Sequence, residues 1–214
     1  MAEAAQMLVS QKQKMVVTNN HGEKLVGLLH ETGSREIVIL CHGARASKDH
    51  FIIENLAVAL EKQGISSFRF DFAGNGESEG AFQVGHLRRE ADDLHAVIQH
   101  FSGSNHVVNA IFGHSKGSPK FRVTEESLMD ILSTDMRESC LKIDKDCRVL
   151  TVHGSADEIV PVENAFEFAK IIPNHKIHII EGADHCYKLH QAELDTVVVD
   201  FIKAALQQDK ASSN

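Results

Sequence analysis

The stretch Glu36–Cys41 reads EIVILC, one charge followed by a run of apolar and mostly β-branched residues, and short runs of this type recur along the chain. Strands are predicted at 15–18 and 24–30 around the turn Asn19-Asn20-His21-Gly22, which is hairpin chemistry. Further strands are predicted at 36–41, 65–70, 107–112, 148–152 and 176–180. Between them the apolar spacing changes to that of helices. Ile52, Leu56, Ala59 and Leu60 mark a helix over 51–63 that stops at Gly64, and further helices are predicted at 84–101, 166–171 and 194–206. Thr124 has the character of an N-cap for a short helix carrying Leu128, Ile131 and Leu132. Strands alternating with helices predict an α/β fold, a mostly parallel sheet covered on both faces, with its chemistry at the carboxyl ends of the strands.

Those strand ends carry the candidate chemistry. The strand at 107–112 runs into Gly113-His114-Ser115-Lys116-Gly117, a GxSxG turn of the kind that exposes a nucleophilic serine between a strand and a helix. Alone the motif is weak, because an active serine also needs a base, a group to orient that base and donors for the oxyanion. The strand at 36–41 ends in His42-Gly43-Ala44-Arg45, a loop able to aim a backbone N–H at a developing oxyanion. The strand at 148–152 leads to His153-Gly154-Ser155-Ala156-Asp157, with Glu158 as a competing carboxylate, and the strand at 176–180 leads to Glu181-Gly182-Ala183-Asp184-His185. Cys186 beside His185 reads as a structural thiol, since adjacent loop residues seldom face one another. The chain order Ser, Asp, His is that expected of an α/β hydrolase rather than of the chymotrypsin or subtilisin types.

The set HGAR, GHSKG, HGSADEIVP and EGADH resembles the α/β-hydrolase superfamily, within it the serine aminopeptidase-like and acylglycerol-lipase-like branch, with wording like that of plant members. The resemblance spans about 14–206 of a chain read as one domain over 1–214. It implies that Ser115 is the nucleophile, His185 the general base and acid, and Asp157 the group that fixes the His185 tautomer. It implies backbone N–H groups of Ala44 and Lys116 as oxyanion donors, a small-molecule carboxylic ester as substrate, and no cofactor or metal. The loop from Asp71 to Ser78 contains GxG after a strand but lacks the third glycine of a dinucleotide site at the required spacing. The resemblance makes that loop a structural turn near the base of the site.

One departure changes the expectation. Between Gly117 and Arg148 lie only 30 residues, about half of what such proteins place there, so one central strand, its helix and much of the cap are expected to be absent, as an internal deletion would produce. The shortened region covers 118–147. Left as a gap, the missing strand would strand on the order of ten backbone groups, at about 1–3 kcal/mol for each one buried without a partner. The gap is therefore expected to fill with water or to close into a seven-stranded sheet. Closure would bring the acid strand beside the serine strand, a shift of about 4.8 Å.

Composition narrows the classes. A net charge of −8 without a basic stripe disfavours nucleic acid and anionic membranes as partners. Cys41, Cys140, Cys147 and Cys186 lack CxxC spacing or a dense disulfide pattern, and no run is apolar for long enough to span a bilayer, so a cytoplasmic protein is expected. Two functions stay open: a serine hydrolase of small esters, its activity reduced by the short region, or an inactive fold-mate or truncated isoform that binds without catalysis.

Overall fold

The computed structural model describes residues 11–83, 85–115, 129 and 133–212. In chain order it contains β1 (Gln11–Thr18), β2 (Lys24–Glu31), β3 (Glu36–Cys41), α1 (Phe51–Lys62), β4 (Ser66–Phe70), α2 (Leu87–Ser102) and β5 (Val107–Gly113). There follow α3 (Met136–Leu141), β6 (Val149–Gly154), α4 (Glu163–Ala169), β7 (His175–Ile180) and α5 (Gln191–Ser212). All seven strands lie where the apolar runs predict them, with ends shifted by a few residues. The helix expected from Thr124, with Leu128, Ile131 and Leu132, falls outside the described residues. The sequence reading missed α3. Its signal is Asp135, whose side chain accepts from the Glu138 N–H at 3.0 Å in the manner of an N-cap.

Strand pairing gives the order β1-β2-β4-β3-β5, in which β1–β2 and β2–β4 are antiparallel and β4–β3 and β3–β5 parallel. The period of two along β3 explains its central place. Ile37, Ile39 and Cys41 pack on one face with Phe68, Phe70, Val97 and Phe101, while Val38 and Leu40 pack on the other with Leu56, Leu60 and the apolar side of α5. A strand buried on both faces has no solvent side, which is why EIVILC is apolar throughout after its first residue.

Strands β6 and β7 pair in parallel as a separate two-stranded sheet. Among the described residues β6 does not pair with β5, so the seven-stranded closure expected as one outcome does not occur. The reason lies in α5. Its Leu194, Val198, Val199 and Ile202 share one buried cluster with Ile52, Leu56 and Leu60 of α1 and with Ile180 of β7. Burying four such side chains contributes roughly 6–12 kcal/mol, and sliding the β6–β7 unit by a strand width would uncover them. Lys203 Nζ to Gln63 Oε1 at 2.7 Å and Lys210 to Glu36 at 3.3 Å fasten the same helix to the first unit. β5 is correspondingly wet, with Val107 47% and Ile111 51% exposed.

On the α2 side, burial and the neighbouring Asp93 push the Glu90 carboxyl up to about 7. The folded state therefore holds the Glu90 proton more tightly than the unfolded chain. A raised carboxyl costs stability that appears as pH climbs from the ordinary glutamate range toward 7 and stays constant above it. Glu90→Gln removes this cost. Its melting temperature is expected to match the parent near pH 4 and to exceed it at pH 8 by the equivalent of about 1–3 kcal/mol. Parallel melting curves of both proteins from pH 4 to 8 check this, and a gap that does not widen with pH contradicts it.

Candidate active site

The loops after β6 and β7 are stitched together before any catalytic geometry is considered. Ser155 N–H donates to Ile180 O at 3.0 Å, Ala156 N–H to Ala183 O at 3.1 Å, and Gly182 N–H to Ser155 Oγ at 2.8 Å. Gly154 lies at the crossing, where an added Cβ would stand 2.2 Å from Ala183 O. Only glycine permits that approach.

This stitching brings Asp157 to His185. His185 Nδ1 donates to Asp157 Oδ2 at 2.8 Å, since a carboxylate can only accept. The other carboxylate oxygen, Oδ1, accepts from the Ile159 and Val160 N–H groups at 2.8 and 2.9 Å. His153 Nε2 donates to Val160 O at 3.0 Å and lies 3.4 Å from Asp157 Oδ2, bracing the same turn. Burial raises the Asp157 pKa, yet the Val160 N–H, the His185 bond and the Ile159 N–H outweigh it and hold the carboxyl below its ordinary value. Glu158, the competing acid of the sequence reading, is exposed and not bonded to His185.

With its proton on Nδ1, neutral His185 presents a lone pair at Nε2. That nitrogen is buried and has no hydrogen-bond partner among the described residues. An unsatisfied buried polar atom costs about 1–3 kcal/mol, so its presence calls for a functional reason. The His185 loop holds its shape through Tyr187, which adopts φ 52° while its hydroxyl donates to Val152 O at 2.8 Å. A tyrosine in the left-handed region is held there by its surroundings.

Ser115 lies two residues beyond the end of β5 and is exposed. The turn starts as a continuation of the β3–β5 ladder, with His114 N–H donating to Cys41 O at 3.2 Å. Ser115 is not hydrogen-bonded to His185 Nε2. Its neighbour His114 is, however, bonded to the His185 loop: His114 Nε2 donates to His185 O at 3.1 Å, and the two rings lie 5.3 Å apart. Lys116 falls outside the described residues.

The loop after β3 is braced at both ends. His42 Nδ1 donates to Gly43 O at 2.8 Å and Nε2 accepts from Phe72 N–H at 3.1 Å, so one neutral tautomer satisfies both bonds. Burial lowers the His42 pKa and keeps the ring neutral. At the far end, buried Asp71 accepts from Lys48 N–H at 2.6 Å, Lys48 Nζ at 2.9 Å and Glu77 N–H at 3.0 Å. Ala44, half-buried between these anchors, has an N–H without an acceptor among the described residues. Arg45 follows at φ 55°, its guanidinium 5.7 Å from the centre of the Phe82 ring. The loop from Asp71 to Ser78, expected as a structural turn, is the brace. An added Cβ at Gly76 would meet Asp71 Oδ2 at 2.2 Å.

Comparison with known proteins bears on the fold. The family described as serine aminopeptidase, S33, matches residues 32–121. No curated protein sequence matches the chain. Among solved structures, the esterase Est1E from Butyrivibrio proteoclasticus with bound ferulic acid superposes with a TM-score of 0.80 at 19% identity, over 90% of this chain and 99% of that one. The Pyrococcus furiosus esterase Pf2001 gives 0.74 at 18% identity over 95% and 94%, and an alpha-beta serine hydrolase homologue from Coxiella burnetii gives 0.64 at 22% over 88% and 96%. The fold is the α/β-hydrolase fold. In that fold the described loops after β3, β5, β6 and β7 all open at the carboxyl ends of their strands, where the sequence expected its site.

Sequence reasoning did not single out His42, Lys48, Asp71, His114, His153 and Tyr187 as parts of the candidate site. A signal exists for two of them: His-Gly follows β3 and ends β6, and in both places the imidazole donates to a nearby backbone carbonyl. A cavity of about 400 Å³ at the start of α2, lined by His21, His86, Arg88, Arg89 and Asp92 among others, is separate from the Asp157–His185 pair. Its charges are largely spent internally, Arg89 on Glu23 and His21 on Asp92. Among the described residues no group of histidine, cysteine and carboxylate side chains is arranged to hold a metal, and no helix is long and apolar enough to cross a membrane.

Proposed function

We propose that the protein is a serine hydrolase of small carboxylic esters working through an acyl-enzyme. The observation that carries this reading is the buried His185, clamped at Nδ1 by Asp157 at 2.8 Å and left with an unpartnered Nε2. Such a nitrogen suits a general base. The Ser115 hydroxyl closes onto Nε2 when substrate binds, as hydrogen bonds of unliganded catalytic sites tighten in the Michaelis complex. Serine Oγ attacks the ester carbonyl while Nε2 takes its proton, and the negative oxygen is received by the N–H groups of Ala44 and Lys116. Collapse expels the alcohol, protonated by His185. Water, deprotonated by the same nitrogen, then releases the acid.

The reading is supported by the esterases among the structurally similar proteins and by the S33 match, which includes the segment carrying Ser115. A small ester suits an exposed serine. Among the described residues Ser115 makes no bond to His185 Nε2, which favours a slow enzyme.

Labelling by a fluorophosphonate probe tests the proposal directly. The folded protein is expected to be labelled on Ser115, with the label lost in Ser115→Ala, as intact mass and peptide mapping report. A cooperatively melting sample that takes no label sinks the enzyme reading and leaves a binding protein with an inherited pocket.

A further inference from the structure

In an unbroken sheet the nucleophile strand and the acid and base strands are held in register by continuous backbone ladders. Among the described residues β5 and β6 do not pair, so no such ladder joins them there. Something else must set the position of the serine turn against the His185 loop. The α1–α5 packing sets it coarsely. At the tips themselves, the hydrogen bond that joins the two loops among the described residues is His114 Nε2 to His185 O, 3.1 Å.

His114 is built into both loops. Its backbone N–H is bound to Cys41 O, which ties it to β3. Its ring stacks on His50 at 5.7 Å and 15°, meets Tyr187 edge-on at 6.5 Å, and lies 5.3 Å from the His185 ring. A carbonyl only accepts, so Nε2 carries the proton.

We propose that His114 is a positioning residue, a side-chain latch that holds the serine turn to the backbone of the base loop across the open sheet. The inference rests on the hydrolase reading of Ser115 and His185. It extends that reading by naming a contact that joins the two loops among the described residues. The acceptor is the carbonyl of the base residue itself, so movement of the latch is passed to the imidazole with no intervening flexible segment. Displacement of reacting groups by about 1 Å costs on the order of a hundredfold in rate.

Two substitutions separate the latch from simple filling of space. His114→Phe keeps a ring against His50 and Tyr187 but has no donor, whereas His114→Gln retains an N–H at similar reach. Turnover of p-nitrophenyl acetate is expected to fall about 10- to 100-fold in His114→Phe, in kcat with KM nearly unchanged, and to return to within about threefold in His114→Gln. Amide hydrogen exchange at 183–187 is expected to quicken in His114→Phe and to recover in His114→Gln. Should His114→Phe not fold, His114→Met makes the same comparison. A donor-less variant that keeps its kcat and its slow exchange overturns the latch, as does a glutamine variant no better than phenylalanine. If the parent protein neither turns over ester nor takes the fluorophosphonate, the hydrolase reading fails. The exchange measurement then still decides whether His114 latches the two loops.

Discussion

Asp157→Asn is expected to lower kcat on an activated ester by about ten-thousand-fold, with KM little changed. The carboxylate accepts the Nδ1 proton of His185 at 2.8 Å and so leaves the lone pair on Nε2. An asparagine amide, turned to meet the ring, donates. The imidazole must then accept at Nδ1 and carry its proton on Nε2, where the serine hydroxyl needs a base. The turn itself survives, because the asparagine carbonyl still accepts from Ile159 and Val160, the role Oδ1 now fills. Circular dichroism and melting of the variant are therefore expected to stay close to the parent. Steady-state kinetics beside those controls decide the matter. A loss under about tenfold in a folded variant would remove Asp157 from the mechanism.

Asp71→Ala is expected to be the most destabilising of the changes considered, by about 3–5 kcal/mol. Its carboxylate is buried, and it collects two backbone N–H groups and the Lys48 ammonium. Alanine leaves those donors in the interior without their acceptor, and Lys48 keeps only Asp49 at 3.3 Å and Glu77 at 2.7 Å. For a chain of this size the loss corresponds to a melting temperature lower by roughly 6–20 °C. It also frees the far end of the loop that carries Ala44. Hydrogen exchange at 43–49 is expected to accelerate more than exchange in β3. Thermal and urea melts measure the first effect, and a shift below about 1 kcal/mol would show that the Lys48–Asp71 pair is replaceable.

Much of this was legible in the residues alone. Apolar period gave β3, α1 and β4 within a few positions, because those elements bury nearly all of one face or both and their patterns are dense, and the apolar run of β5 was legible although that strand is half-exposed. The end of α1 at Gly64 was readable for the same reason, with Gly64 at φ 70° just past the last helical turn. The strand-end loops carrying Ser115, Asp157 and His185 were also readable, since each follows an apolar run directly. Short α3 escaped notice because six residues carry too little periodicity to register, and only its Asp135 cap marks it.

The residues by themselves thus determined the seven strands, the longer helices and their order, and which loops follow the strand ends. Tertiary structure decided the rest. Whether β6 joins β5 depends on where α5 buries its apolar side, and α5 is separated from α1 by more than a hundred residues of chain. The pairing of Asp157 with His185, and not Glu158, follows from loop crossings at Gly154 and Ala183 that no local pattern encodes. His114 shows the same limit most plainly. A histidine between a glycine and a serine announces nothing, and its tie to the His185 carbonyl exists only because two separately built sheets meet at their tips. Local sequence fixes dihedral preference and the side of burial, whereas contacts across the chain are set by the packing that buries the most apolar surface while leaving polar groups paired.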